Sequence, residues 1–224
     1  FNIHIQDPKV DLKHFDFIVA PEHDSIKGQN VISTKGAIHY LTENEINENK
    51  DYLNSFIKKD ERIIWTLIMG GPTKYYDYST KNIKEIFTTL SELSKKHNFQ
   101  LVIIPSMRTP TNIIQYANDY FGDDHTVIMD VDKKAYLSAL AIAQNIIVTC
   151  DSSSMISEAA LTGKPIYVAS ILPKKNDKRF QKFRNLFREL NIIKNLGEEI
   201  EDWSYEKLDE TNRVANIIKQ KINL

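Results

Sequence analysis

Cysteine is almost absent from this 224-residue chain, Cys150 being the only one. A lone thiol cannot close an internal disulfide, and no Cys/His cluster has metal-ligand spacing, so a reducing compartment is expected and a structural zinc is not. Cys150 sits at a strand end and reads as a small core residue rather than a nucleophile. An excess of either charge is missing too. With 29 Lys and Arg against 30 Asp and Glu, the formal net charge is −1, which leaves no global field to gather nucleic acid. No apolar run approaches the roughly 20 residues of a bilayer span, and there is no internal repeat or low-complexity tract. These absences exclude a general nucleic-acid binder and a spanning membrane protein, and they lead to the expectation of a soluble cytoplasmic one with no bound metal.

What is present is an alternation of short apolar runs with amphipathic stretches, in a length that holds one large or one and a half ordinary domains. Phe1–Ile5, Phe17–Ala20 and Val31–Thr34 read as strands followed by polar loops. The first of them has no lead-in, so a truncated first lobe is expected. Thr42–Lys59, rich in Glu, Asn and Lys, suits an exposed helix or linker. A second alternation follows. Strands Ile63–Met69, Leu101–Pro105, Val127–Met129, Asn145–Val148 and Ile166–Ala169 are separated by helical patterns over Thr80–His97, Asn112–Tyr120 and Lys134–Ala143. Such spacing predicts right-handed crossovers and a parallel sheet covered on both faces. The predicted organisation is an α/β chain with a remnant of an N-terminal Rossmann-like lobe over 1–41, an interlobe linker over 42–61, a complete Rossmann-like lobe over 62–201 and a crossing helix over 202–224.

Thr149–Val168 is the most informative stretch. The buried run Asn145–Val148 empties into Asp151, Ser152, Ser153 and Ser154, which can cap the helix carrying Met155, Ile156, Ala159 and Ala160. The first-turn amides of such a helix have no internal partner and favour a phosphate or diphosphate. Glu158, one turn in, is placed to accept hydrogen bonds from ribose hydroxyls, and Gly163 and Pro165 end the helix. Ser-rich caps with Gly-x-Pro exits also occur in parallel α/β folds that bind nothing. Two further strand ends carry ligand-type residues. Gly70 and Gly71 would let a phosphate approach the backbone, or simply make a tight strand exit. Arg108 offers a planar fork of donors for a phosphate or carboxylate, or for a salt bridge. Glu22-His23-Asp24 follows a first-lobe strand. There His23, held by a carboxylate, is the candidate general base, with Glu22 and Asp24 as catalytic partners. Farther on, Lys174–Arg179 opens a basic helix with Phe180, Phe183, Phe187 and Leu190 at helical spacing, either a core-facing stripe or a surface for a partner or anionic lipid.

Taken in order, Pro21-Glu22-His23-Asp24, Gly28-x-Asn30-Val31, Thr34-x-Gly36-Ala37, Gly70-Gly71-Pro72, Arg108-Thr109-Pro110, Asp151 to Pro165, and Trp203-x-Tyr205-x-x-Leu208-Asp209-Glu210-Thr211 resemble the elongated-mitochondria family, known as mitochondrial fission proteins. The chain departs from that pattern at Ser25 and Gln29, where the family has Gly and Pro. The resemblance implies a two-lobed glycosyltransferase-B-like fold. Bacterial members carry the name of nucleoside-diphosphate-sugar epimerases, and plant members are associated with recruiting dynamin to mitochondria. Two functions are therefore expected as alternatives. In one, a nucleoside-diphosphate sugar binds in the interlobe cleft as substrate, without a further cofactor, for sugar transfer or epimerisation. In the other, the protein is a non-catalytic recruitment scaffold, for which a protein partner and peripheral membrane contact are the expectations. A composition heavy in Lys, Asn and Ile points to an AT-rich bacterial genome.

Overall fold

The computed structural model describes residues 1–197 and 200–222. Two separate parallel sheets organise them. The first is three-stranded, in the order β1 (Ile3–Ile5), β2 (Phe17–Pro21), β3 (Val31–Thr34). The second is six-stranded, in the order β6-β5-β4-β7-β8-β9, from β4 (Ile63–Met69), β5 (Phe99–Pro105), β6 (Thr126–Val127), β7 (Asn145–Thr149), β8 (Ile166–Ala169) and β9 (Ile193–Asn195). Seven helices accompany them: α1 (Glu43–Glu48), α2 (Thr80–His97), α3 (Thr111–Phe121), α4 (Lys133–Ile142), α5 (Ser153–Ala160), α6 (Lys178–Glu189) and α7 (Glu210–Lys221). The strand order reverses between β4 and β7, the switch point at whose carboxyl ends ligands bind in open α/β sheets.

Strands β5 and β7 are buried along their whole length, as expected of parallel strands covered on both faces. In the core Trp65 stacks on Phe99 with ring centroids 4.2 Å apart and on Tyr167 at 5.6 Å. The helices begin where the sequence supplies caps. Ser79 accepts from the Asn82 amide ahead of α2, and Asp132 accepts from Lys134 and Ala135 ahead of α4, each such cap contributing about 1 kcal/mol.

Residues 42–61, expected as an exposed helix or linker, connect the two sheets and are mostly exposed, but they do not run free. Helix α1 and a 3-10 turn at Tyr52–Ser55 dock on α4 instead. Leu53 is fully buried with Val102, Ile104, Ala135 and Ala139. The Leu53 amide donates to Ser138 Oγ at 3.1 Å, and the Ser138 hydroxyl donates to the Lys50 carbonyl at 2.8 Å. The sparse apolar stripe is what a short segment needs to cover one end of a sheet.

The last helix begins later than the expected Glu206, because Asp209 caps it by accepting from the Asn212 amide at 3.0 Å. The residues before it form an extended strap. Tyr205 donates its hydroxyl to the Lys164 carbonyl at 2.7 Å, and the Leu208 amide bonds to the Ala160 carbonyl at 3.2 Å. Helix α7 then crosses to the first sheet, where Val214 packs with Phe17, Val19 and Ile32. The crossing is riveted by polar contacts: the Lys35 amide donates to Glu210 at 2.8 Å, and the Thr211 hydroxyl donates to the His39 carbonyl at 2.7 Å.

Ser25, where the family pattern has glycine, ends the 3-10 turn Glu22–Asp24 in the left-handed region, with φ 58° and ψ 27°. That conformation is costly for a residue with a Cβ and free for glycine. Ser25→Gly is expected to raise stability by about 1 kcal/mol, read as a higher midpoint in urea denaturation at an unchanged slope.

Candidate functional site

The carboxyl ends of β4, β5 and β7 meet at one buried carboxylate. Asp151, two residues past β7, has no exposed side-chain surface. Its Oδ2 accepts from Arg108 Nη2 at 2.9 Å and from the Gly71 amide at 3.0 Å, and its Oδ1 accepts from the Tyr78 hydroxyl at 2.9 Å. Arg108 is anchored a second time, Nη1 donating to the Gly71 carbonyl at 3.0 Å, while its side chain stays 42% exposed. Burial, reinforced by the Asp151 charge, holds the Tyr78 hydroxyl well above its ordinary pKa, so it is a lasting donor. Thr149 Oγ1 receives the Gly70 amide at 2.8 Å, and Thr109 Oγ1 donates to the Gly70 carbonyl at 2.6 Å. The polar groups exposed by ending three strands are thus paired with one another.

The reason for the two glycines follows. A Cβ on Gly70 would lie 2.1 Å from Asp151 Oδ2, and one on Gly71 would lie 1.9 Å from the Arg108 carbonyl oxygen. Their smallness serves this packing, the tight strand exit that is the second of the two readings of these glycines. Asp151, expected among the binding residues, is itself buried behind Arg108.

Helix α5 starts at the next residue. Ser152 caps it, accepting from the Met155 amide at 3.3 Å. Ser153 and Ser154 follow in the first turn, whose amides lack intrahelical acceptors; Ser153 is half-buried and Ser154 exposed. The side of α5 facing the first lobe is closed. Ser157 Oγ receives the Ala37 amide at 2.9 Å and donates to the Ser153 carbonyl at 2.8 Å, and a Cβ on Gly36 would come within 2.8 Å of that hydroxyl. A loop of the first lobe is therefore hydrogen-bonded to the helix that carries the serines.

Glu158 is half-buried. Its Oε2 accepts from the Tyr136 hydroxyl at 2.5 Å. Burial raises its pKa above the ordinary carboxylate value, opposed by the Tyr136 hydrogen bond and by His39. Tyr136 and Tyr78 were not singled out in the sequence, and Thr149 and Ser157 only as members of the Thr149–Val168 stretch. The two tyrosines stand outside any motif that marks chemistry, and only the packing brings them to the site.

The acid–base constellation expected at Glu22-His23-Asp24 does not form. The three residues lie in a 3-10 turn, which sends successive side chains about 120° apart. Glu22 is exposed and lines an interlobe cavity of about 540 Å³ with Lys35 and Arg213. Asp24 pairs with Arg179 of α6. The His23 side chain is only 5% exposed, packs edge-on against Phe183 at 5.4 Å, and has its Nδ1 buried without a hydrogen-bond partner. Its Nε2 is 3.7 Å from Asp24, too far for a hydrogen bond. Burial lowers its pKa, with Asp24 opposing. His23 thus sits at a joint between the lobes. On α6, Phe183 and Phe187 are fully buried and Phe180 and Leu190 partly so, which makes the apolar stripe core-facing. A second cavity, of about 400 Å³, opens at the ends of β7 and β8, lined by Cys150, Ser170, Ile171 and Arg184 among others. Among the described residues no cluster of His, Cys, Asp and Glu is placed to hold a metal, and no helix is long and apolar enough to cross a membrane.

Two parallel α/β units facing each other across a joint, with a C-terminal helix returning from the second to the first, define a glycosyltransferase-B-like protein. The fold is shared with UDP-GlcNAc 2-epimerase from Methanocaldococcus jannaschii, at a TM-score of 0.50 and 13% identity over 93% of this chain and 63% of that one. A putative UDP-N-acetylglucosamine 2-epimerase from Listeria monocytogenes matches at a TM-score of 0.50 and 14% identity, over 93% and 60%. The chain belongs to the mitochondrial fission ELM1 family, whose model matches residues 1–222. It is 31% identical over 215 residues to the uncharacterised protein RP120 of Rickettsia prowazekii, covering 88% of this chain and 57% of that protein. It is 23% identical over 250 residues to the mitochondrial fission protein ELM1 of Arabidopsis thaliana, covering 99% and 58%. The chain thus spans 57–58% of the length of these curated relatives.

Two stability measurements probe this geometry. Gly71→Ala forces a methyl into the Arg108 backbone and is expected to cost about 3 kcal/mol or more, seen as a large fall in denaturation midpoint. Glu158→Gln tests the buried charge. A carboxylate with a raised folded-state pKa is penalised above that pKa, and the penalty fades as pH falls through it toward the unfolded value. The variant should therefore melt at a higher temperature than the wild type at pH 7, with the difference shrinking as the pH is lowered toward 4.5.

Proposed function

We propose that the protein binds a nucleoside-diphosphate sugar, with the diphosphate on the first turn of α5 and the ribose hydroxyls on the unshared oxygen of Glu158. The observation that carries the reading is the guanidinium of Arg108, pinned by Asp151 and the Gly71 carbonyl one residue before the capped start of α5. Its remaining N–H groups are free for an anion seated at the helix terminus, where the unpaired amides of Ser153 and Ser154 and the positive end of the dipole also favour negative charge. Two kinds of donor, one a fixed fork and one a backbone turn, suit two linked phosphates better than one. Glu158 supplies acceptors one turn farther along the same helix.

In this reading the nucleotide sugar is the substrate, and no separate cofactor takes part. When the sugar is transferred or rearranged, negative charge develops on the departing diphosphate, and a preorganised guanidinium offsets it. The scaffold alternative keeps the support of family membership, but the apolar stripe of α6 is buried and does not supply the exposed patch that would favour it.

The test is a thermal-shift panel of nucleosides, nucleoside diphosphates and their sugar esters, followed by calorimetric titration with the best ligand. A diphosphate should raise the melting temperature where its nucleoside does not. Glu158→Gln should then bind about ten- to hundredfold more weakly, the loss of a charged hydrogen bond. Unchanged affinity in that variant moves the ribose elsewhere, and a panel in which no diphosphate stabilises the wild type overturns the reading.

A further inference from the structure

Asp151 stands where charge alone would not put it: a buried carboxylate beside a turn that favours anions repels any phosphate placed there. Both of its oxygens are nevertheless engaged by donors from three segments, the strand exits after β4 and β5 and the stretch leading into α2. The next residue in the chain, Ser152, caps α5. Arg108 and the helix terminus are thereby tied to the same two-residue stretch. A free arginine on a loop samples many rotamers and loses that freedom on binding; one held at both Nη atoms has already lost it.

We infer that Asp151 is a positioning residue that holds the Arg108 guanidinium in register with the first turn of α5, Tyr78 in turn orienting Asp151. The inference rests on the diphosphate reading of the site and makes a prediction of opposite sign to simple electrostatics. Replacing Asp151 by Asn removes a negative charge next to an anion. If charge dominated, affinity for a diphosphate would rise. If Asp151 acts by orienting Arg108, affinity falls.

The experiment is calorimetric titration of UDP and inorganic pyrophosphate into the wild type, Asp151→Asn, Arg108→Gln and the double variant, with uridine as a phosphate-free control. Asp151→Asn should bind UDP about tenfold more weakly, and Arg108→Gln by a similar factor. In the Arg108→Gln background the Asp151 substitution should change UDP affinity by no more than about twofold, because the residue it acts through is gone. Uridine binding should not move. UDP binding to Asp151→Asn as tight as or tighter than wild type overturns the inference, as does a full-sized effect of that substitution in the double variant, which would mark a purely structural role. Should Asp151→Asn fail to fold, Tyr78→Phe, which leaves Asp151 its other two donors, must weaken UDP binding in the wild-type background and not in Arg108→Gln; unchanged UDP affinity overturns the inference equally. A wild type that binds neither UDP nor pyrophosphate has a different signature, and it removes the diphosphate reading itself and this inference with it.

Discussion

One ion pair, the buried Asp151 with the partly exposed Arg108, sets the constraint on which the second lobe's rim depends. Three parallel strands end side by side where the sheet order reverses, and each end would leave backbone groups without partners. The carboxylate collects the Gly71 amide, the guanidinium and a tyrosine hydroxyl. A buried charge of this kind is tolerated only while its partners stay in place. That requirement explains why Gly70 and Gly71 lack side chains, why Arg108 bends back over the Gly71 carbonyl, and why the start of α5 is held close to both.

The two lobes are joined by contacts that differ in kind. On one side the joint is apolar and aromatic, with His23 against Phe183 and the Asp24–Arg179 pair at its edge. On the other it is a hydrogen-bonded seam of Ala37 on Ser157, Lys35 on Glu210 and His39 on Thr211. The seam runs through α5 itself, since the Ser157 hydroxyl also bonds to the Ser153 carbonyl. An anion at the first turn of that helix would therefore sit within one turn of the interlobe contact, which is how a ligand can come to favour one arrangement of the lobes.

Much of the architecture was legible in the linear pattern. Short continuous apolar runs bounded by polar residues, such as Asn145–Val148, read as strands buried on both faces, and Thr80–His97 has the helical spacing of a one-sided core face. Both elements are where that pattern puts them. The serine cap of α5 was legible because capping is a bond between neighbours in sequence. The segment 42–61 reads as an exposed helix or linker, and composition gave no sign that it docks on α4. Only the shape of the cleft over α4 gives Leu53 a place to be buried.

The sequence by itself determined what depends on near neighbours: the parallel α/β alternation, the caps and breaks, and the presence of ligand-type residues at several strand ends. Tertiary structure alone decided where those side chains point. Glu22, His23 and Asp24 are adjacent in the chain and diverge, because a 3-10 turn spreads them around its axis and α6 claims two of them. Arg108 and Asp151 are 43 residues apart and meet, because strand order in a doubly wound sheet is not chain order, and a contact across that sheet leaves no trace in local pattern.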